Sequence, residues 1–210
     1  MTDMVDIDDM LPFVMPHVPS APHPTVLRNI RAVVRELCLY AAIWREYDDI
    51  VIATPDSECV CTIPDVAIVK IEKASLDGLE LHPVTIAWLD ENVSRWDIDL
   101  DQTSNARWIT QLNPNTVTIV PKATGTLRVR LVLQPSITAE QIPNFILTDH
   151  SEMIGMAAAG RVMLTPKTEY TNPQLGAAYK QMFDSYIARM DREASKGQQR
   201  ARLRTKPQFI

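Results

Sequence analysis

The sequence predicts an α+β chain with a discontinuous helical bundle, one helix early and two late, an antiparallel β domain inserted between them, and extended arms at both ends. Three observations predict it. Apolar residues recur at three- and four-residue steps from Val26 to Ala42 and again after Thr148. Between about Asp48 and Pro135 the period falls to two. The first 24 residues hold Pro12, Pro16, Pro19, Pro22 and Pro24, and the last 13 carry charges of positive sign only. The boundaries read as an arm over 1–24, a helical domain over 25–46 and 137–197, a β domain over 47–136, and a basic tail over 198–210.

In the arm, Leu11, Phe13, Val14, Met15 and Val18 stand between the prolines, a spacing that predicts an extended, polyproline-like path laid along a surface. Thr25 is the expected cap of a helix running to about Trp44. Val26, Ile30, Val33, Val34, Leu37, Cys38, Ala41 and Ala42 form its buried stripe, with Arg28, Arg31, Arg35 and Glu36 outside. The strand candidates are Ile50–Ile52, Val66–Ile71, Thr116–Val120 and Thr126–Leu133. The last is the clearest, since Leu127, Val129, Leu131 and Leu133 alternate with Arg128 and Arg130. Lys122–Gly125 reads as a hairpin loop joining it to the strand before, and Asp77-Gly78 as a turn. Pro83–Trp96 allows a short helix, and Ser136–Phe145 a turn or short helix broken at Pro143.

Thr148 or Asp149 is the expected cap of the next helix, to about Leu164, with Glu152 in its first turn. Gly155, Ala157, Ala158, Ala159 and Gly160 give it a small-residue face, for which Gly176-Ala177-Ala178 is the natural partner. The last helix begins with Thr171 or Asn172 as cap and Pro173 at its first position. Leu175, Ala178, Tyr179, Met182, Phe183, Tyr186, Ile187 and Met190 share one face, and Gly197 ends the helix.

Composition narrows the function. A formal net charge of -5 argues against a dedicated nucleic-acid binder. No apolar run approaches the roughly 20 residues of a membrane span, and no signal-peptide pattern is present. Cys38, Cys59 and Cys61 are too few for a disulfide framework and fit a reducing cytosol. Cys59 and Cys61 share a strand face as metal ligands do, but a zinc site needs about four ligands and no second pair exists. Asp48-Asp49 and Asp97, Asp99 and Asp101 suit turns and strand ends better than a cation site. His17, His23, His82 and His150 pair with no nucleophile in a known arrangement. No phosphate loop or GxGxxG is present. The expectation is a protein with no catalytic, cofactor-binding or metal-binding residues. The tail, with Phe209-Ile210 at its end, reads as a segment that docks on a partner, against the plainer reading of a solvated terminus.

The order of these features resembles the head-to-tail adaptors of tailed, short-tailed bacteriophages, the connector or tail-tubular proteins seated beneath the portal. Ala32–Arg45, ending in Trp-Arg, resembles the early helix of that family, and Val14–Pro22 its proline-punctuated entry. Leu131-Val-Leu-Gln-Pro-Ser136 and Ile142-Pro-Asn-Phe145 resemble the return to the helical layer. Asn172-Pro-Gln-Leu175, Tyr179, Phe183 and Gly197 through Arg204 resemble the closing helix and Arg-rich tail.

The resemblance implies a structural virion protein, made in the host cytoplasm and placed in the neck. It implies a ring, dodecameric to match the portal, with a lumen through which genomic DNA passes without sequence-specific binding. Portal protein, tail nozzle or tail-tube protein, further copies of the chain and tail fibres are the implied partners. The implied portal-binding residues are Arg200, Arg202, Leu203, Arg204, Lys206, Phe209 and Ile210. Two rivals remain at this stage: a DNA-binding accessory protein using the basic tail, and an enzyme with an unrecognised site.

Overall fold

A computed structural model describes residues 3–55, 59–97 and 105–195. The chain is α+β, with five α-helices, one 3-10 turn and nine strands among the described residues. It divides into two compact units. The described residues up to Ile43 and from Glu140 onward form one, and Trp44–Ala139 the other.

The first unit begins with β1 (Met4–Asp6), a 3-10 turn over Ile7–Met10 and α1 (Leu11–Val14). These elements correct the expectation of an extended N-terminal arm. Ile7, Met10, Val14, Val18 and Ala21 are all buried. The prolines permit this because none falls in a helix interior: Pro12 lies in the first turn of α1, and Pro22 and Pro24 flank the start of the next helix. β1 pairs antiparallel with β9 (Gln141–Pro143), Val5 opposite Ile142. The interrupted turn expected over 136–145 is thus partly strand.

α2 (His23–Ala41) starts two residues before Thr25 and buries Val26, Ile30, Val33, Val34, Leu37, Cys38 and Ala41, the stripe expected from the sequence. It ends at Ala42, whose φ of 48° closes the helix in the left-handed region. α4 (Asn144–Met163) begins earlier than the expected cap at Thr148 or Asp149. Asn144 is tied to the N-terminal strand, its N–H donating to the Asp3 carbonyl at 2.8 Å and its Nδ2 to Asp3 Oδ2 at 2.9 Å. The Thr148 hydroxyl donates back to the Asn144 carbonyl at 3.0 Å, a bond made from inside a helix, which removes both Thr148 and Glu152 from the first turn. α5 (Pro173–Ser195) follows.

The second unit contains β2 (Arg45–Ile52), β3 (Cys59–Val60), β4 (Val66–Leu76), β5 (Leu79–Pro83), α3 (Ile86–Asn92), β6 (Trp108–Thr110), β7 (Thr116–Val120) and β8 (Gly125–Pro135). Its strands form one sheet in the order β2-β8-β4-β5-β6-β7-β3. Every neighbouring pair is antiparallel except β5 and β6. Asp77 and Gly78, at φ 48° and 86°, make the two-residue turn between β4 and β5 that the sequence signals.

The expected hairpin between Thr116–Val120 and Thr126–Leu133 does not form. β8 lies between β2 and β4, and Lys122–Gly125 leads away from β7. Pro121 supplies no N–H to continue the β7 ladder. The start of β8 is instead held by Asp77, whose N–H donates to the Thr126 carbonyl at 3.0 Å and whose Oδ1 accepts the Thr126 N–H at 2.8 Å.

Leu127, Val129, Leu131 and Leu133 face the core of this unit with Ile50, Ile52, Ile68, Leu76, Leu81, Ile109 and Ile119. α3 is the short helix expected within 83–96. Its Thr85 cap accepts the Trp88 N–H at 3.2 Å, and its Leu89 packs with Trp96 and Val120 in a smaller cluster. At the two edges of the sheet, the buried Asp48 of β2 accepts from the Thr62 N–H at 2.8 Å and from the Thr62 hydroxyl. Thr62 follows β3, so this carboxylate draws the edge strands together and covers backbone that a flat sheet would leave open.

Candidate functional site

In sequence, the residues tied to docking follow the α4–α5 hairpin. The tail residues Arg200, Arg202, Leu203, Arg204, Lys206, Phe209 and Ile210, with Gly197, fall outside the described residues. The structure shows the hairpin that leads to them.

α4 is apolar on most sides, with Ile146, Ile154, Ala157, Ala158, Ala159, Val162 and Met163 buried. It meets α5 where both are glycine. A methyl on Gly176 would lie 2.8 Å from the Gly160 carbonyl oxygen, and one on Gly160 would lie 2.9 Å from Tyr179 Cβ. Gly160 and Gly176 therefore meet as the sequence suggests, while Ala177 and Ala178 of the expected partner segment are exposed. A second such contact was not anticipated: a methyl on Gly155 would lie 2.5 Å from the Phe13 carbonyl oxygen of the segment expected to be an arm.

The connection is held by threonines. The Thr171 hydroxyl donates to the Thr165 carbonyl at 2.7 Å, and the Thr168 N–H donates to Thr171 Oγ1 at 3.0 Å. Asn172 is the cap of α5, its Oδ1 accepting the Leu175 N–H at 3.2 Å. Of the expected apolar face of α5, Phe183 is buried and Tyr179, Tyr186, Ile187 and Met190 are half-buried, while Leu175, Ala178 and Met182 are exposed. With Gln181, Ser185, Tyr186 and Arg189, and with Met153 of α4, Ala178 and Met182 line an open groove of about 520 Å³.

Two histidines fasten α5 to the unit. Tyr179 Oη lies 3.2 Å from His17 Nδ1, and Tyr186 Oη lies 2.6 Å from His150 Nδ1. Both pairs are edge-on ring contacts, and the tyrosines are seven residues apart on one helix face. That spacing was legible in the sequence, but the histidines come from elements remote in sequence, so the pairing was not. Burial lowers the His150 pKa, with Asp149 opposing it more weakly. Burial raises that of Tyr186, opposed by Arg189, whose guanidinium lies 4.9 Å above the tyrosine ring.

A histidine held neutral in the folded state, as His150 is by burial, binds fewer protons there than in the unfolded chain. Stability should therefore fall as pH drops below the ordinary histidine value of about 6.5. Thermal unfolding of the wild type and His150→Gln between pH 7.5 and 5 checks this. The variant is expected to lose part of the acid dependence.

The remaining candidates are dispersed. Cys59 is buried on β3 and Cys61 half-buried beyond it. Asp48 is taken up by Thr62, Asp49 is an exposed residue 3.7 Å from Arg128, and Asp99 and Asp101 lie outside the described residues. Among the described residues, no group of three or more His, Cys, Asp and Glu is placed to hold a metal, and no helix is long and apolar enough to cross a membrane.

No curated protein matches the chain. A family model does, over residues 5–206, and its description is SU10 adaptor protein. That span takes in both units and most of the tail, and it agrees with the head-to-tail adaptor resemblance carried by the sequence motifs. The chain belongs to the SU10 adaptor protein family.

Proposed function

We propose that the chain is a structural virion protein that forms a ring beneath the portal, joins the portal to the tail, and leaves a lumen for DNA. The observation that carries this reading is the adaptor-family match over residues 5–206. The α4–α5 hairpin supports it. Helix α5, about 35 Å long at 1.5 Å per residue, is fixed by the close approach of Gly176 to Gly160 and by two tyrosine–histidine pairs, and it leads toward the basic tail as a firm stalk would. Portal protein, nozzle or tail-tube protein, tail fibres and neighbouring copies are the partners in this reading. The ring is dodecameric to match the portal, and DNA passes without sequence-specific contact. A net charge of -5 suits a wall that DNA slides past. Arg200, Arg202, Leu203, Arg204, Lys206, Phe209 and Ile210 are the residues assigned to the portal.

The test is electron microscopy of the purified chain mixed with purified portal rings, beside light scattering of the chain alone. The expected result is a coaxial ring on the portal and a monomer in its absence. Salt-sensitive binding of duplex DNA by the free protein, with no density on the portal, would replace this reading with that of a DNA-binding accessory protein.

A further inference from the structure

The outward face of β2, β8 and β4 has a sign opposite to that of its unit. Trp44–Ala139 contains eight Lys and Arg against fourteen Asp and Glu, yet five of the eight stand on these three adjacent strands: Arg45, Lys70, Lys73, Arg128 and Arg130. Register places Tyr47 and Lys73 on either side of Arg130, and Asp49 and Ser75 on either side of Arg128, so these side chains share one face.

The cations are held in place before any partner arrives. Glu72 lies 2.9 Å from Arg45 Nε and 3.0 Å from Arg130 Nε, and its side chain is only 15% exposed. The Arg128 guanidinium sits 5.0 Å over the ring of Tyr47, which is 51% exposed. The other ion pairs, Arg128–Asp49 at 3.7 Å and Lys73–Glu80 at 3.8 Å, are solvent-exposed on both sides and hold little. Fixed arginines around an exposed tyrosine are the residue types that dominate protein–protein contacts. A DNA backbone would meet Asp49 and Glu72 on this face and leave Tyr47 and Val51, the latter 77% exposed, without apolar cover.

The fitting occupant is a polypeptide in which carboxylates alternate with apolar side chains, and the chain carries one. Residues 1–27 contain no Lys or Arg, and Asp3, Asp6, Asp8 and Asp9 are all exposed, with Met4 and Val5 half-buried between them. The stretch is firm. Ile7 and Met10 are buried, Asp3 Oδ2 accepts from Asn144, and Asp6 Oδ1 accepts from Gln141 at 3.2 Å. A closed head-to-tail ring requires two different, complementary surfaces on every subunit.

We propose that the Asp3–Asp9 stretch of one copy docks on the outward face of β2, β8 and β4 of the next copy, setting carboxylates against Lys73, Arg128 and Arg130. This inference rests on the ring reading above. Its test is ring formation on purified portal, scored by electron microscopy, for four proteins: wild type, Arg128→Glu with Lys73→Glu, Asp8→Lys with Asp9→Lys, and all four changes combined. Unchanged thermal unfolding shows that each variant is folded. Either charge reversal alone is expected to lower ring occupancy about tenfold or more, and the combination to restore much of it. Normal rings from either reversal alone would overturn the inference while leaving the ring reading intact, as would failure of the combined variant to recover. Wild-type protein that forms no ring on portal would overturn the ring reading itself. Normal rings from the sheet-face variant together with weakened duplex DNA binding would reassign the face to nucleic acid.

Discussion

Gly155→Ala should destabilise the first unit by about 1–3 kcal/mol, against the usual sign for such a change in a helix. In an exposed helix interior, alanine in place of glycine gains about 1 kcal/mol by propensity. At Gly155 the new methyl would stand 2.5 Å from the Phe13 carbonyl oxygen and 2.9 Å from both the Phe13 carbonyl carbon and Cβ. Two of these are backbone atoms, so relief requires α1 to move away from α4, and the burial of Val14 and Met10 moves with it. Cys38 offers a local readout. It is fully buried on α2, and burial pushes its pKa up to about 12, with Arg35 opposing more weakly, so its thiol is inert until the unit opens. Faster labelling of Cys38 and a lower urea midpoint are expected for Gly155→Ala, with the same trend for Gly176→Ala. A variant as stable as the wild type would mean that α1 is loosely held and that the N-terminal segment behaves as an arm after all.

Sequence periodicity located α2 and β8 because each has one face decided by burial alone; α5 was marked by its Asn172-Pro173 start, since of its expected apolar face only Phe183 is buried. The Val26–Ala41 stripe and the Leu127–Leu133 alternation are visible without any knowledge of neighbours. Strand order was not visible. β7 and β8 are adjacent in sequence, but β8 finds longer partners in β2 and β4, and Asp77 holds its start at Thr126. Such tertiary choices leave no local mark. The N-terminal segment misled for a different reason. Proline spacing reads as a bar to a continuous helix, but position within each turn decides: Pro12 and Pro24 occupy first turns, where a missing N–H costs nothing.

The interaction residues were legible in proportion to how far they depend on chain order. The glycine match between α4 and α5 could be anticipated because both faces are made of small residues. Arg128 and Arg130 were visible as the polar side of a strand, but nothing local showed that Glu72 gathers Arg45 and Arg130 from two different strands, or that Arg128 caps Tyr47. Asp48 stood out only as half of an acidic pair. Its place between Thr62 and the core follows from the curling of the sheet.

Removal of residues 198–210 should abolish attachment to the portal and leave folding unchanged, on the proposed role of the tail. The segment holds Arg200, Arg202, Arg204 and Lys206 and no acid. In an extended conformation alternate residues point to opposite sides, which would set the three arginines toward a carboxylate-bearing cleft and Ala201 and Leu203 away from it. Arginine suits that task because its planar fork holds a carboxylate at two points. Burial of Phe209 and Ile210 would contribute about 2–5 kcal/mol. Ordering the segment opposes that gain, so one tail binds weakly and attachment depends on many tails of a ring engaging together. The described contacts of the first unit, from Gly155 on Phe13 to Tyr186 on His150, are all made upstream of the deletion, so thermal unfolding of the truncated protein should match the full chain. Replacing only Phe209 and Ile210 by Ser should slow attachment less than the deletion but speed release, since the apolar end resists withdrawal. Both are read by counting adaptor density on portal-bearing particles after gradient purification. Near-normal density with the truncated protein would remove the tail as the anchor and shift that role to the β unit or the N-terminal segment.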